Sequence, residues 1–172
     1  MSDATDALID RIIQREGGFV DNPNDRGGAT KYGITISTLK DWRRAPLGRA
    51  DIEALTVEEA RQIYRTNYFT ASGFDQIPDS QLQEFLFDFA VNSGVVAATR
   101  ALQRSIGVKD DGAFGPASLA ALKAIINWGM LFYRVKCERY ELLLRFIGSD
   151  AQEAVFATGW SNRLDQFEER IQ

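Results

Sequence analysis

Residues 15–35, REGGFVDNPNDRGGATKYGIT, place a carboxylate at the end of an apolar helix and follow it with a glycine-rich loop that carries more acids. Leu8, Ile9, Ile12 and Ile13 fall on one helical face, and Glu16 follows on that same face at i+8 from Leu8. Gly17 suits the position that ends a helix in a left-handed conformation. The sequence therefore predicts Glu16 in the last turn of a buried helix.

Two effects at that position favour the protonated form of Glu16. Partial burial disfavours a charged carboxylate, and the negative end of the helix dipole does the same. The loop that follows contains Asp25 and Thr30, and its glycines and Pro23 allow tight turns that return both toward Glu16. Two carboxylates and a hydroxyl would then share one pocket.

Glycoside hydrolysis uses such a pair of carboxylates. One carboxylic acid stays protonated and delivers its proton to the leaving oxygen, and a second carboxylate stays ionised as nucleophile, base or electrostatic stabiliser. Glu16 and Asp25 suit these two roles.

The same stretch resembles the catalytic segment of glycoside hydrolase family 108, the N-acetylmuramidases. It matches at nearly every position the family pattern of Glu-Gly-Gly-aromatic, then Pro-x-Asp-x-Gly-Gly-x-Thr, then Tyr-Gly-Ile-Thr. Phe19 stands where Tyr is frequent, and Arg26 where Pro is frequent. The spacing of Glu16, Asp25 and Thr30 is also similar to the Glu, Asp, Thr triad of phage-type lysozymes. The resemblance implies an all-α, mainly helical, lysozyme-like fold in which the glycine-rich active-site loop has room for a short hairpin.

The resemblance further implies lysozyme activity, the hydrolysis of the β-1,4 bond between N-acetylmuramic acid and N-acetylglucosamine in peptidoglycan. Glu16 would be the general acid, Asp25 the second carboxylate, and Thr30 would position water or steady Asp25. Asp21 is the reserve second carboxylate. The substrate-binding candidates are Asp21, Tyr32, Asp88 and Asn92.

Two alternatives stay open beside hydrolysis. A lytic transglycosylase cuts the same bond with a lone acid and no attacking water, whereas a non-catalytic peptidoglycan-binding protein would assist secretion. Asp25 and Thr30 beside Glu16 favour hydrolysis over the first, and Glu16 itself argues against the second. The place of Asp25 on a glycine loop favours water activation with inversion.

The composition limits the chemistry further. Among 172 residues there is no histidine and a single cysteine, Cys137, which removes the commonest general base and excludes an internal disulfide or a thiolate cluster. We therefore expect no metal and no cofactor. A net charge of −4 argues against nucleic acid held by its phosphates. The resemblance implies peptidoglycan glycan strands as the partner, and we expect a monomer.

The chain shows no signal-peptide pattern at its beginning and no long apolar run. We therefore expect that no segment spans a membrane and that the protein is made in the cytoplasm. Action in the periplasm or cell wall would need release or export, with a holin or secretion machinery as partner. The sequence leaves open a phage endolysin, a gene-transfer or toxin-release factor and a wall-remodelling enzyme.

Two helices are predicted after the catalytic segment. Thr56 and Glu59 form a capping-box pattern that opens a helix over 56–68, and Pro78 marks the first turn of another that ends at Gly94. The second helix carries a polar stripe that includes Asp88 and Asn92. The stripe is either a solvated face or a row of hydrogen-bonding groups that line a sugar cleft.

Residues 101–122 resemble the LQxxLG…DGxxGPxTxxAL repeat of peptidoglycan-binding domains. The motif either packs the fold or binds murein. The predicted organisation is a catalytic lobe, 1–94, and a helical lobe, 95–172, packed as one unit.

The last third contains the longest predicted helix, with apolar residues on two stripes that place it centrally in the core. Cys137 lies on the second stripe, beside Tyr133 and Leu144, and is expected to be a small buried hydrophobe. A final helix is predicted from about residue 158, where Trp160 and Arg163 fit the Gly-Trp-x-x-Arg ending typical of the family.

Overall fold

The structure is a computed structural model that describes residues 2–21 and 28–149, with side chains from 6–21 and 28–145. The chain divides into two compact units, Met1–Tyr68 and Phe69–Gln172. Short antiparallel strands contribute a small sheet to the first unit, and helices make up most of the described chain. The predicted mainly helical class is therefore confirmed.

The first unit contains four α-helices and three two-residue strands within its described residues. In chain order these elements are α1 (Ser2–Glu16), β1 (Phe19–Val20), β2 (Thr30–Lys31), β3 (Ile34–Thr35), α2 (Ile36–Arg43), α3 (Arg49–Glu53) and α4 (Val57–Tyr64). The sheet order is β1-β2-β3, and both pairs are antiparallel. A π-helical segment, Arg65–Thr70, continues α4.

Helix α1 packs against α4 through the apolar face that the sequence predicts. Leu8, Ile9, Ile12 and Ile13 are all buried. At the edge of this contact Arg61 donates to both carboxylate oxygens of Asp10, at 2.6 and 3.0 Å. The apolar face drives the packing, since a partly exposed ion pair adds little to the free energy of unfolding.

The start of α4 also agrees with its predicted cap. The side chain of Thr56 accepts a hydrogen bond from the backbone N–H of Glu59, and Leu55 and Ala60 are buried on either side of the cap. The helix then ends at Tyr64, earlier than predicted, because residues 65–70 take the wider π-helical pitch.

The second unit is built from four described α-helices and one 3₁₀ turn. The turn spans Phe74–Gln76, and the helices are α5 (Ser80–Ser93), α6 (Val95–Ser105), α7 (Pro116–Lys123) and α8 (Trp128–Ser149). Pro78 lies before α5 and not in its first turn, because Asp79 is the cap and accepts from the N–H of Leu82 at 2.8 Å.

Helix α5 is the centre of the second unit and packs against both α6 and α8. Phe85 of α5 meets Phe132 of α8 edge to face, with ring centroids 5.1 Å apart. Helices α5 and α6 share this core and are joined at Gly94, and both belong to the compact unit that begins at Phe69. The assignment of a separate function to 1–94 and 95–172 stays a prediction.

Helix α8 is the longest described helix, as predicted, but it is buried on one stripe only. Leu131, Phe132 and Val135 are buried, whereas Tyr133 is 47% and Leu144 64% exposed. Cys137 is half-buried. The predicted central position, with both stripes buried, is therefore wrong within the described residues. The predicted final helix with Trp160 and Arg163 lies outside them.

The peptidoglycan-binding-like motif is held together by a buried amide. Gln103 of α6 is 2% exposed, and its Nε2 donates to Asp111 Oδ1 at 2.9 Å and to the Ala113 carbonyl at 3.0 Å. Its Oε1 accepts from the N–H of Gly112 at 2.8 Å. Hydrogen bonds from Ala113 and Gln103 hold the pKa of Asp111 below its usual value. These residues of the motif therefore pack the loop, and ligand binding by the motif stays a prediction.

The described helices include none that is both long enough and apolar enough to cross a membrane.

Gln103→Met tests the structural role of this amide. The change preserves size but leaves the Gly112 N–H and the Ala113 carbonyl without their partner, so we expect a loss of roughly 2 kcal/mol in the free energy of unfolding. Urea unfolding followed by circular dichroism measures it. Gln62→Met, at an exposed position of α4, is the control, and equal effects of the two changes would contradict the role.

Candidate active site

Glu16 is the last residue of α1 and is half-buried. The helix ends there because Gly17 takes a positive φ of 80° while its N–H still donates to the Ile13 carbonyl, at 3.1 Å. This is the left-handed helix ending that the sequence predicts. The Glu16 side chain therefore lies, half-buried, at the end of the helix whose apolar face packs in the first unit's core.

A tight turn between β2 and β3 lies against Glu16. Lys31 pairs with Ile34, so the turn consists of Tyr32 and Gly33 alone, with φ of 55° and 74°. Two successive positive φ angles are what a type I′ hairpin turn requires. Glycine adopts this conformation readily, but for Tyr32 it costs about 1–2 kcal/mol.

Only a glycine at position 33 lets the turn lie this close to the side chains of Tyr64 and Glu16. A Cβ atom built there would lie 2.6 Å from the Tyr64 hydroxyl oxygen and 3.0 Å from Cγ of Glu16. A second tie joins the same parts, since the N–H of Tyr32 donates to the Gly17 carbonyl at 3.0 Å. The Glu16 side chain therefore packs directly on the turn backbone.

The hydroxyl of Tyr64 fixes this turn, a role that the sequence analysis missed. Tyr64 is 1% exposed, and its Oη donates to the Tyr32 carbonyl at 2.7 Å. The sequence analysis predicted the helix over 56–68 that contains Tyr64 but gave its hydroxyl no partner. Because buried tyrosine hydroxyls usually make a hydrogen bond, the residue type itself was the available signal.

Thr30 belongs to β2 of the small sheet, and Asp21 directly follows β1. Thr30 is half-buried on β2, opposite Val20 of β1 and Thr35 of β3. The Asp21 carboxylate forms an ion pair with Arg49 at 2.6 Å. To serve as the second carboxylate, Asp21 would have to loosen this ion pair.

Asp25 lies outside the described residues, so its assignment as second carboxylate stays a prediction. Among the residues that the structure does describe, no three acidic or cysteine side chains gather as ligands for a metal ion.

Tyr32 borders a shallow hollow of 380 Å³ between the end of α1 and the start of α4. Gln14, Gly17 and Arg61 also line it. An aromatic ring beside polar groups suits contact with a sugar, and the substrate-binding role of Tyr32 stays a prediction.

Asp88 and Asn92 belong to the second unit and contact each other on α5. Asp88 is 1% exposed and pairs with the buried Arg139, Oδ2 to Nη2, at 2.9 Å. The guanidinium of Arg139 also stacks over the rings of Phe85 and Phe89, at 5.2 and 4.9 Å from their centroids. The solvated-face interpretation of Asp88 is therefore wrong.

The amide of Asn92 donates to the Asp88 carbonyl at 2.5 Å, one helical turn back, while the residue itself is exposed. Substrate binding by either residue stays a prediction. Asp88 could affect substrate only through Asn92, because the Asp88 carboxylate faces the core.

The helical fold, with a carboxylate at the end of α1, agrees with the predicted lysozyme-like class. The model of the family Glycosyl hydrolase 108 matches residues 9–94, and a model described as a predicted peptidoglycan domain matches residues 97–165. The chain belongs to glycosyl hydrolase family 108. Peptidoglycan is thus the polymer that it degrades or binds.

Among solved structures the chain is similar to that of SagA from Brucella abortus. The two share 30% sequence identity with a TM-score of 0.83, over 97% of this chain and 92% of the other. No curated protein sequence matches the chain.

Gly33→Ala tests the close approach of the turn to Glu16. The added Cβ must displace the Tyr64 hydroxyl and the Glu16 side chain, on top of the roughly 1 kcal/mol or more that a left-handed alanine costs. Gly17→Ala is the matched control, because its φ is also positive but nothing lies within 4 Å of the added atom. We expect Gly33→Ala to lower the melting temperature clearly more than Gly17→Ala, and the reverse order would contradict this packing.

Proposed function

We propose that this protein is an N-acetylmuramidase that hydrolyses the β-1,4 bond between N-acetylmuramic acid and N-acetylglucosamine, with Glu16 as its general acid. The observation that carries the proposal is the half-buried Glu16 at the end of α1, packed on the turn at Gly33. The match of residues 9–94 to the glycosyl hydrolase family supports it, because that segment contains Glu16.

Glu16 acts first in the proposed reaction. Its carboxyl group gives a proton to the glycosidic oxygen as the bond to the anomeric carbon breaks, so the leaving sugar departs as an alcohol and not as an alkoxide. This step needs the protonated form of Glu16.

Asp25 and Thr30 complete the reaction. Asp25 takes a proton from a water molecule that Thr30 positions, and the resulting hydroxide oxygen bonds to the anomeric carbon. Attack from the opposite face of the ring inverts that carbon. A carboxylate that attacked directly would form a covalent glycosyl ester, and its hydrolysis by water in a second inverting step would give net retention at that carbon.

The substrate fixes where the enzyme works. Peptidoglycan lies outside the cytoplasm. A chain made in the cytoplasm would therefore act in the periplasm or cell wall after export or release. A holin or a secretion system would provide the route.

Glu16→Gln tests the general acid. The amide is nearly isosteric but cannot deliver a proton, so we expect lysis of outer-membrane-stripped cells, followed as loss of turbidity, to fall by about a hundredfold or more. Glu141→Gln, at an exposed carboxylate of α8, is the control and should keep wild-type activity. Circular dichroism verifies that both variants are folded. Activity of Glu16→Gln within a few-fold of wild type would remove Glu16 from this role.

The reaction products separate hydrolysis from the alternative reaction. Mass spectrometry of digested murein should show reducing muramic acid ends, because water is the proposed acceptor. Anhydro-muramyl ends would identify a lytic transglycosylase instead.

A further inference from the structure

The turn of Tyr32 and Gly33 holds a strained conformation that needs fixed partners. Tyr32 is a non-glycine residue at φ 55°, and such residues persist when the surrounding structure over-determines them. Two hydrogen bonds fix its peptide groups, one to the Gly17 carbonyl at 3.0 Å and one from the Tyr64 hydroxyl at 2.7 Å.

These two bonds connect the turn to different elements. Gly17 directly follows Glu16 on α1, whereas Tyr64 ends α4. The turn is therefore tied on one side to the backbone that carries Glu16 and on the other to a buried aromatic anchor.

The Tyr64 hydroxyl and the Glu16 side chain meet the turn at the same place. Both lie within 3.0 Å of the position that a Cβ of Gly33 would occupy. After Glu16 the chain continues through Gly17 and Gly18, which have no side chains to support it. The turn is thus a surface against which the Glu16 side chain packs.

We propose that Tyr64 is a positioning residue for the general acid: its hydroxyl holds the Tyr32–Gly33 turn against Glu16 and so fixes the direction in which the carboxyl delivers its proton. This inference rests on the proposed function of Glu16. It assigns Tyr64 no contact with substrate.

Tyr64→Phe removes the hydroxyl and keeps the ring. Misplacement of a catalytic group by about an ångström can cost up to about a hundredfold in rate, so we expect kcat on soluble murein glycan fragments to fall by about tenfold or more. KM should change by a smaller factor than kcat, because the hydroxyl is proposed to act on the direction of Glu16 and to make no contact with substrate. The assay is run at a temperature where circular dichroism shows the variant fully folded.

Tyr68→Phe is the matched control. Its ring lies 5.5 Å from that of Tyr64, and burial raises the pKa of its hydroxyl, so the change also removes a hydroxyl from a partly buried tyrosine. We expect kcat of this variant to stay near the wild-type value. Carbon-13 NMR of the Glu16 side chain should shift in Tyr64→Phe and not in Tyr68→Phe, which gives a readout independent of activity.

The double variant with Glu16→Gln shows whether Tyr64 works through Glu16. The two losses should not add, because a displaced amide is no worse than a placed one. Full additivity, an unchanged kcat in Tyr64→Phe, or a change in KM alone would each overturn the positioning role. If Tyr64→Phe is harmless while Glu16→Gln is inactive, only this inference fails; if Glu16→Gln is active, the proposed function fails.

Discussion

The contact between the Glu16 side chain and the backbone of Gly33 is the constraint on which the candidate site depends. A carboxylate at a helix end normally points into solvent, where no neighbouring surface fixes its direction. Here α1 ends at Glu16 itself, Gly17 turns the chain away with a positive φ, and the turn of Tyr32 and Gly33 packs on the Glu16 side chain. The rest of the first unit can be understood as the support for that contact: the apolar face of α1 on α4 and the hydroxyl of Tyr64 on the turn.

Local signals in the sequence predicted a large part of this unit. The spacing of aliphatic residues indicated which face of α1 is buried, and Gly17 and Thr56 indicated where helices end and begin, because caps depend on residues within one turn. The position of Glu16 in its helix followed from the same signals. The Tyr64 hydroxyl and the Tyr32 carbonyl are 32 residues apart, and no periodicity reports a contact of that kind.

In the second unit, too, local sequence patterns did not predict contacts between residues far apart in the chain. Asp88 lies on a stripe that reads as polar, yet it is buried, because Arg139, 51 residues later, neutralises its charge. Removing one partner of such a pair leaves a buried charge, which explains why the pair has to be considered as one element. The exposure of Tyr133 and Leu144 was also missed, since an apolar stripe indicates a capacity for burial and not which neighbour is present to cover it.

The central claim, that Glu16 is the proton donor, is tested most directly by a crystal structure of the Glu16→Gln chain with a murein-derived oligosaccharide bound. The account predicts the amide at position 16 within hydrogen-bond distance, about 2.6–3.2 Å, of the oxygen of one glycosidic bond. It also predicts that the turn at Gly33 keeps its place against that side chain. A sugar bound with its glycosidic oxygen beside another carboxylate, such as Asp21, and away from position 16 would contradict it.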